Sequence, residues 1–226
     1  MARGGDFGAI IFDLDGVLVD SEIWWDETRR DWAAAHGRQW TEADRVAVMG
    51  ANSAGWARIM RERLDLASVD PKAIERAIVD GVVARFHAEG APVIAGAVPA
   101  ARRLAARYPA GIASSAHAMV IAAALESAGL ANAFRVVVSA DEVSHGKPAP
   151  DVYLEAARQL AVEPEACLVV EDSVNGVRAG RAAGMTVVLV PNASVPPLPE
   201  AFELADVVLA RLSDLEPQAL SRARPG

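Results

Sequence analysis

The sequence contains a single cysteine, Cys167, so no intramolecular disulfide can form among its 226 residues. A chain without disulfides suits a reducing compartment, and we expect a cytoplasmic protein. Hydrophobic residues make up 52% of the chain and charged residues 23%, the balance of a globular protein with a substantial core. This composition excludes a disordered or low-complexity chain.

Apolar runs of membrane-spanning length are absent as well. Charged residues interrupt every apolar stretch well before the roughly 20 residues that a bilayer requires. The N-terminal apolar run, residues 7–12, ends at Asp13 and is too short for the core of a signal peptide. We therefore expect no membrane partner.

Positive charge is scarce, with 22 Lys and Arg residues against 30 Asp and Glu residues and a net charge of -8. A nucleic-acid-binding protein needs a concentrated basic face, so nucleic acid is excluded as a partner. Lysine is especially rare, because Lys72 and Lys147 are the only two in the sequence. A lysine in a functional loop is therefore a candidate for a specific role.

Six short apolar runs without polar alternation predict strands that are buried on both faces, as in a parallel sheet covered by helices. These runs are residues 9–12, 111–113, 136–138, 167–170, 186–190 and 207–209. Helical patterns lie between them at residues 99–108, 116–128, 151–160 and 174–183. This alternation predicts an α/β fold with a doubly wound, Rossmann-like parallel sheet.

The interval 20–90 breaks the alternation, because it contains helical patterns and no strand pattern. Helices are predicted at residues 22–36, from near Thr41, at 54–64 after an N-cap at Asn52 or Ser53, and from Asp70-Pro71 onward. We predict an inserted all-helical cap domain at residues 20–90 and a catalytic core formed by residues 1–19 and 91–226. After Asn192 we expect one last strand and a weak terminal helix.

Polar side chains follow four of the predicted strands where ligands bind in parallel sheets, at the carboxyl ends. They are Asp13, Asp15, Ser114, Ser115, Lys147, Glu171 and Asp172. Clustered carboxylates repel one another unless a cation lies among them, and their hard oxygens suit Mg²⁺. The sequence therefore predicts a magnesium site at this edge of the sheet.

The hydroxyls and the lysine of this group suit a phosphate. Ser114 and Ser115 open a predicted helix, whose free N–H groups and dipole would favour an anion. Lys147 offers a compact ammonium to phosphate oxygens. A phosphate site is thus predicted next to the metal site.

These motifs resemble, in order and spacing, the four motifs of the haloacid dehalogenase superfamily over nearly the whole chain. The run DLDGVLVDSE (residues 13–22) resembles the first motif and Ser114 the second. Lys147 in GKPAPD resembles the third motif, and Glu171-Asp172 resembles the fourth. The helical insert is similar to the cap of the subgroup that holds sugar-phosphate phosphatases and β-phosphoglucomutase.

The resemblance implies an Mg²⁺-dependent phosphatase that hydrolyses a small phosphate monoester such as a sugar phosphate. Asp13 would be the nucleophile that forms an aspartyl-phosphate, and Asp15 the acid and then the base. The dehalogenases of the superfamily lack an acid two residues after the nucleophile, so Asp15 favours phosphoryl transfer.

The resemblance also implies the ligands of the ion and of the phosphoryl group. Mg²⁺ would be held by Asp13, the backbone carbonyl of Asp15, and Asp172, with Glu171 bound directly or through water. Ser114, Ser115 and Lys147 would hold the phosphoryl oxygens.

Two other functions remain as alternatives. A β-phosphoglucomutase-type mutase uses a cap histidine and a basic residue after a Gly-containing loop. Here the histidine position falls on Trp25, and the loop at residues 48–53 contains no Lys or Arg. A non-enzymatic phosphoacceptor module is about half this length and takes its acceptor Asp from a middle strand. The missing histidine and basic residue argue against the mutase. The greater length of this chain and the position of Asp13 after the first strand argue against the phosphoacceptor module. The phosphatase is therefore favoured over both.

All five tryptophans lie in the predicted cap: Trp24, Trp25, Trp32, Trp40 and Trp56. We expect Trp32 and Trp40 to form its core. Adjacent helical positions diverge by about 100°, so Trp24 and Trp25 cannot both face that core. One of them is predicted to face the active-site cleft and contact the substrate.

Two histidines, His117 and His145, lie in the motif-bearing loops and are further candidates for substrate contact. The expected partner is a small-molecule phosphate ester. We expect the chain to be a monomer or a small homo-oligomer.

Overall fold

A computed structural model describes residues 7–48 and 51–220, which form a six-stranded sheet covered by helices on both faces. The strands are β1 (Ala9–Phe12), β2 (Ala110–Ser114), β3 (Val136–Ser139), β4 (Cys167–Glu171), β5 (Thr186–Leu189) and β6 (Val207–Val208). Their spatial order is β3-β2-β1-β4-β5-β6, and each neighbouring pair is parallel. The predicted doubly wound α/β fold is confirmed.

The central strand β1 shows why its apolar run is continuous. Ile10 and Phe12 belong to the core on one face of the sheet, whereas Ala9 and Ile11 belong to the core on the other. Successive strand residues point to opposite faces, so a strand covered on both sides needs an apolar residue at every position.

Five helices cover the sheet. The face of Ile10 is covered by α5 (Ala97–Ala105) and α6 (Ala118–Ser127). The face of Ile11 is covered by α7 (Asp151–Leu160), α8 (Val174–Ala182) and α9 (Pro199–Leu204).

Four helices lie between β1 and α5 in the chain and form the insert: α1 (Glu22–Ala35), α2 (Glu42–Val48), α3 (Ser53–Arg63) and α4 (Pro71–Glu89). The Asn52 side chain caps α3, and Asp70 caps α4, as predicted. The apolar residues of this insert join the core on the Ile10 face. Within the described ranges, no helix combines the length and apolar character needed to cross a membrane.

The two connections between the insert and the sheet run side by side. Val19 forms an antiparallel bridge with Val93, and the Asp20 N–H donates to the Pro92 carbonyl over 2.9 Å. The paired connections lie next to the predicted boundaries at 19/20 and 90/91. The division of the chain into domains at these points stays a prediction.

The start of α6 differs from the prediction. The helix begins at Ala118, two residues later than expected, and His117 is its N-cap. Ser114 is the last residue of β2, and Ser115 lies in the turn that follows. The expectation that Ser114 and Ser115 open the helix is therefore wrong.

The C-terminal part also differs. The six-residue α9, which begins with a proline at its first turn, was not predicted because the segment is Pro-rich. The expected terminal helix consists, within the described residues, of two 3₁₀ turns at Leu212–Asp214 and Pro217–Ala219. The last predicted strand is present as β6.

Candidate active site

The structure brings four of the predicted site residues together at the carboxyl edge of the sheet. Asp13 directly follows β1, Glu171 ends β4, Asp172 comes next, and Lys147 reaches in from the loop after β3. One carboxylate oxygen from each of the three acids lies within 4.8 Å of the others. Strands far apart in sequence therefore build one acidic cluster around one ammonium.

Lys147 is buried and uses all three donors of its ammonium. Its Nζ donates to Oδ1 of Asp13 over 2.6 Å, to Oε1 of Glu171 over 2.6 Å and to the Ala113 carbonyl over 3.1 Å. The lysine is thus held in a fixed position between the first and fourth motifs.

Both oxygens of Glu171 accept hydrogen bonds. Oε1 accepts from Lys147 and from the Tyr153 hydroxyl, the latter over 2.6 Å. Oε2 accepts from the backbone N–H of Asp172 and from both the N–H and the hydroxyl of Ser173, over 3.0–3.1 Å. A Cβ on Gly176 would lie 1.7 Å from Oε1, so α8 can approach this carboxylate only with glycine there.

The carboxylate of Asp172 has a different environment. It lies against the turn of the first motif, where Gly16 has φ +83° and a Cβ would lie 1.9 Å from Oδ2 of Asp172. Among the residues that the structure describes, none donates a hydrogen bond to this carboxylate. Its oxygens are therefore free to bind a ligand.

The cluster carries surplus negative charge. Burial raises the pKa of Asp13 to about 7 although Lys147 opposes this, and burial together with Glu171 and Asp13 raises the pKa of Asp172 well above its usual range. The pKa of Glu171 is lowered, because Lys147 and the hydrogen bonds outweigh burial. Three carboxylates around one ammonium, one of them without a donor, fit a divalent cation that prefers oxygen ligands, such as Mg²⁺.

Asp15 lies outside this cluster and has its own donors. Ser21 donates to Oδ1 from its backbone N–H over 2.9 Å and from its hydroxyl over 2.7 Å. The indole Nε1 of Trp25 donates to Oδ2 over 3.2 Å. Burial outweighs these bonds and raises the pKa of Asp15 to about 6, so this carboxyl can exchange a proton near neutral pH.

The adjacent tryptophans of α1 point in different directions. Trp25 reaches Asp15, whereas Trp24 packs edge-on against Phe86 of α4 with ring centroids 5.1 Å apart. Both side chains are buried in one hydrophobic core, so the expectation that the two cannot both face the core is wrong. Of the two, Trp25 is the one that contacts a predicted catalytic residue, and its contact with substrate stays a prediction.

The other three tryptophans, Trp32, Trp40 and Trp56, also belong to the helical insert. Trp40 is buried and donates to Asp26, and Trp32 is partly buried and stacks on His36 with centroids 3.9 Å apart. Trp56 packs edge-on against Trp25. Met49 and Gly50, in the loop that was compared with the mutase, lie outside the described residues.

The structure places the predicted serines in a turn before α6. Ser114 is buried, and its hydroxyl accepts the Ala116 N–H over 3.1 Å, while Ser115 is partly buried. His117 caps α6 because its Nδ1 accepts the Met119 N–H over 3.2 Å. The proposed phosphate contacts of the two serines therefore depend on their hydroxyls and the turn, not on a helix terminus.

His145 is exposed, and its Nδ1 lies 3.0 Å from Oδ1 of Asp151, the first residue of α7. None of its contacts in the described part of the chain involves a predicted catalytic residue. Its contact with substrate also stays a prediction.

Three partners of the site carboxylates were not predicted from the sequence: Ser21, Ser173 and Tyr153. Ser21 lies inside the first-motif run, so the signal was present in the motif itself. Tyr153 lies on α7, and its contact with Glu171 depends on how α7 packs on the sheet. Only the rarity of tyrosine, with two in the chain, could have drawn attention to it.

Comparison with known proteins connects this site to phosphatases. The family description of haloacid dehalogenase-like hydrolases matches residues 7–184. Fructose-1-phosphate phosphatase YqaB of Escherichia coli is 32% identical over 184 residues, which cover 80% of this chain and 95% of that protein. The crystal structure of CbbY from Rhodobacter sphaeroides in complex with phosphate has a TM-score of 0.78 and 25% identity, covering 92% of this chain and 96% of that chain.

A longer plant protein is also similar. The bifunctional riboflavin kinase/FMN phosphatase of Arabidopsis thaliana is 32% identical over 219 residues, which cover 91% of this chain. The match covers 54% of the plant protein, so this chain spans about half of its length.

Proposed function

Because the chain belongs to the haloacid dehalogenase-like hydrolases, we propose that it hydrolyses small phosphate monoesters through an aspartyl-phosphate on Asp13. The chain is a phosphoric monoester hydrolase. A sugar phosphate or a similar metabolite is the proposed substrate, supported by the similarity to a fructose-1-phosphate phosphatase.

One observation carries the assignment of roles: the two acids of the first motif have different partners. Oδ1 of Asp13 is held by the Lys147 ammonium, which orients the carboxylate at the edge of the sheet. Asp15 is held by Ser21 and Trp25 and has a pKa raised to about 6. An oriented carboxylate suits a nucleophile, and a carboxyl that titrates near neutrality suits an acid and base.

In the first step, a carboxylate oxygen of Asp13 attacks phosphorus and the ester P–O bond breaks. The leaving oxygen takes its proton from Asp15. In the second step, the Asp15 carboxylate takes a proton from water, and the water oxygen attacks phosphorus. The bond between phosphorus and Asp13 then breaks, which releases phosphate and restores both side chains.

The ion and the phosphoryl group would lie at the acidic cluster. Asp13, Asp172 and the backbone carbonyl of Asp15 would hold Mg²⁺, and Glu171 would act through water because both its oxygens already accept hydrogen bonds. The bound ion supplies positive charge that offsets the repulsion between phosphate and carboxylate.

The phosphoryl oxygens would be held by Ser114 and Ser115 and attracted by the charge of Lys147, whose three donors already have partners in the protein. Lys147 touches Asp13 directly, so its charge lies where the phosphoryl group arrives. The hydroxyls of the serines, at the end of β2, would complete the contacts.

A phosphate-release screen tests this function. Sugar phosphates, nucleotides and small phosphorylated acids are assayed with Mg²⁺ and with the ion chelated. We expect chelation to abolish turnover, and Asp13→Asn to lower it by at least about 10³-fold. The matched control is Asp31→Asn, an exposed aspartate on α1, which should retain full turnover. Full turnover of Asp13→Asn would contradict the mechanism.

The mutase alternative has a distinct outcome in the same assay. Conversion of β-glucose 1-phosphate to the 6-phosphate without release of phosphate would contradict the hydrolase. Trp25 stands where the mutase has a histidine, and an indole N–H donates but cannot accept a proton. We therefore expect release of phosphate.

A further inference from the structure

Arg29 on α1 is held between two tryptophans. Its guanidinium carbon lies 5.1 Å from the ring centroid of Trp25 and 5.1 Å from that of Trp56. Trp25 and Arg29 are four residues apart and therefore share one face of the helix. Contact with two aromatic rings fixes the guanidinium in position and replaces part of its water shell.

No described carboxylate lies within ion-pair distance of this cation, although Glu22, Asp26 and Asp15 act on it from further away. Among the residues that the structure describes, Arg29 forms no hydrogen bond and no ion pair, and its buried Nε is without a partner. Asp26, one of the acids that act on it at longer range, is already bound by Arg30 and Trp40. Withdrawing a cation from water without a partner costs free energy, so an anion that arrives here is stabilised.

The guanidinium is nevertheless charged. Burial lowers the pKa of Arg29 to about 10, while Glu22, Asp26 and Asp15 oppose the decrease. At neutral pH the side chain therefore carries its proton. Arg29 as a whole keeps partial exposure to solvent, although its Nε is buried.

The position of Arg29 relates it to the leaving group of the reaction. Trp25 connects the two, because its ring lies against Arg29 while its Nε1 donates to Asp15. Asp15 gives its proton to the leaving oxygen in the proposed mechanism. An alcohol part that extends from Asp15 past Trp25 would reach Arg29.

We propose that Arg29 binds an anionic group, a carboxylate or a second phosphate, on the alcohol part of the substrate. The inference rests on the proposed phosphatase function and narrows its substrate class to esters with a second negative charge. A guanidinium suits this task because its planar donors match the paired oxygens of carboxylate and phosphate.

Two matched pairs of esters test the proposal with the full-length enzyme and Mg²⁺. The carboxylate pair is 3-phosphoglycerate against glycerol 1-phosphate, and the phosphate pair is fructose 1,6-bisphosphate against fructose 1-phosphate. A charge-assisted hydrogen bond contributes enough to predict a preference of about 10- to 100-fold in kcat/KM for the anionic member of at least one pair. The pair that shows it identifies the anion.

The variant Arg29→Met keeps an apolar stem between the indoles and removes the charge. We expect it to reduce the preference to nearly one, chiefly through a higher KM for the anionic ester. Arg30→Met is the matched control, because Arg30 is the next residue of α1, is exposed and pairs with Asp26. It should keep the wild-type preference.

Three results would overturn the proposal. They are equal kcat/KM values within both pairs for the wild type, an unchanged preference in Arg29→Met, and equal losses on both members of a pair together with a lower Tm. The last would make Arg29 a structural residue. Absence of phosphate release from every ester would instead contradict the phosphatase function itself.

Discussion

The backbone of Gly16 approaches the carboxylate of Asp172 so closely that a Cβ on residue 16 would lie 1.9 Å from Oδ2. The same glycine has φ +83°, a conformation that other residues rarely adopt. The turn that follows Asp13, the proposed nucleophile, can therefore lie against the Asp172 carboxylate only if residue 16 has no side chain. This contact joins the first-motif turn to the fourth-motif acid of the proposed metal site.

Replacement of Gly16 by alanine should displace the Asp172 carboxylate. We expect Gly16→Ala to lower kcat by at least about 10²-fold, because a displacement of an ångström at reacting groups has effects of that size. Phosphate release at saturating Mg²⁺ measures the effect.

Gly184→Ala is the matched control. Gly184 has φ +75°, and no atom lies within 4 Å of its virtual Cβ. It should show only the backbone cost of about 1–2 kcal/mol in the free energy of unfolding. Equal kcat values for the two variants would contradict the role of the contact with Asp172.

Tyr153 supports the site through its hydroxyl, which donates to Oε1 of Glu171. Tyr153→Phe removes one donor from a buried carboxylate, and we expect it to lower the free energy of unfolding by about 1–3 kcal/mol. Urea denaturation measures the change. Tyr108→Phe, at the other tyrosine of the chain, should change it by less than about 0.5 kcal/mol. Equal effects would mean that the bond to Glu171 contributes nothing specific.

The strands were predictable because burial on both faces leaves continuous apolar runs. The prediction for β1 matches its observed bounds, and that for β2 missed one residue at each end. Those missed ends are Ala110 and Ser114, of which Ser114 is polar and therefore ends an apolar run. The helix starts at Asn52 and Asp70 were predictable because their caps are local.

The grouping of Asp13, Lys147, Glu171 and Asp172 could be predicted because the carboxyl ends of parallel strands meet at one edge of the sheet. The start of α6 did not, because its N-cap is His117, a residue type outside the usual capping set. Contacts between elements that are distant in sequence, such as that between Tyr153 and Glu171, were not predictable either, because they depend on how the helices pack on the sheet.

Asp44 in the insert gives stability that depends on pH. Its carboxylate accepts from the Thr41 N–H over 2.9 Å, from the Thr41 hydroxyl over 2.6 Å and from Arg63 over 2.5 Å. Burial would raise the pKa of Asp44, but these hydrogen bonds outweigh it and the pKa is lowered. The pKa of Asp44 is thus lower in the folded protein than in the unfolded chain, where it is about 4. The stabilisation from its charge is therefore complete above the pKa of the unfolded chain and is lost as the pH falls through the pKa of the folded protein.

Asp44→Asn should therefore cost about 1–3 kcal/mol of unfolding free energy at pH 7, and progressively less below about pH 4. Urea denaturation across that range measures the cost. Asp31→Asn, at an exposed position, should show neither the cost nor the trend. A cost for Asp44→Asn that stays constant down to pH 2 would mean that the charge of Asp44 is not what the hydrogen bonds stabilise.

The acidic cluster should lower stability through charge repulsion when Mg²⁺ is absent and raise it by binding Mg²⁺ when the ion is present. Thermal unfolding separates these two effects. Because Asp172 adds surplus charge to a buried site, Asp172→Asn should have a Tm at or above that of the wild type when Mg²⁺ is absent. The proposed Mg²⁺ site exists only in the folded protein, so Mg²⁺ should stabilise the wild type by about 2.7 kcal/mol at 100 times its Kd. Asp172→Asn should lose that response, whereas Asp80→Asn, an exposed acid on α4, should keep it. A full response of Asp172→Asn to Mg²⁺ would contradict the assignment of Asp172 as a ligand.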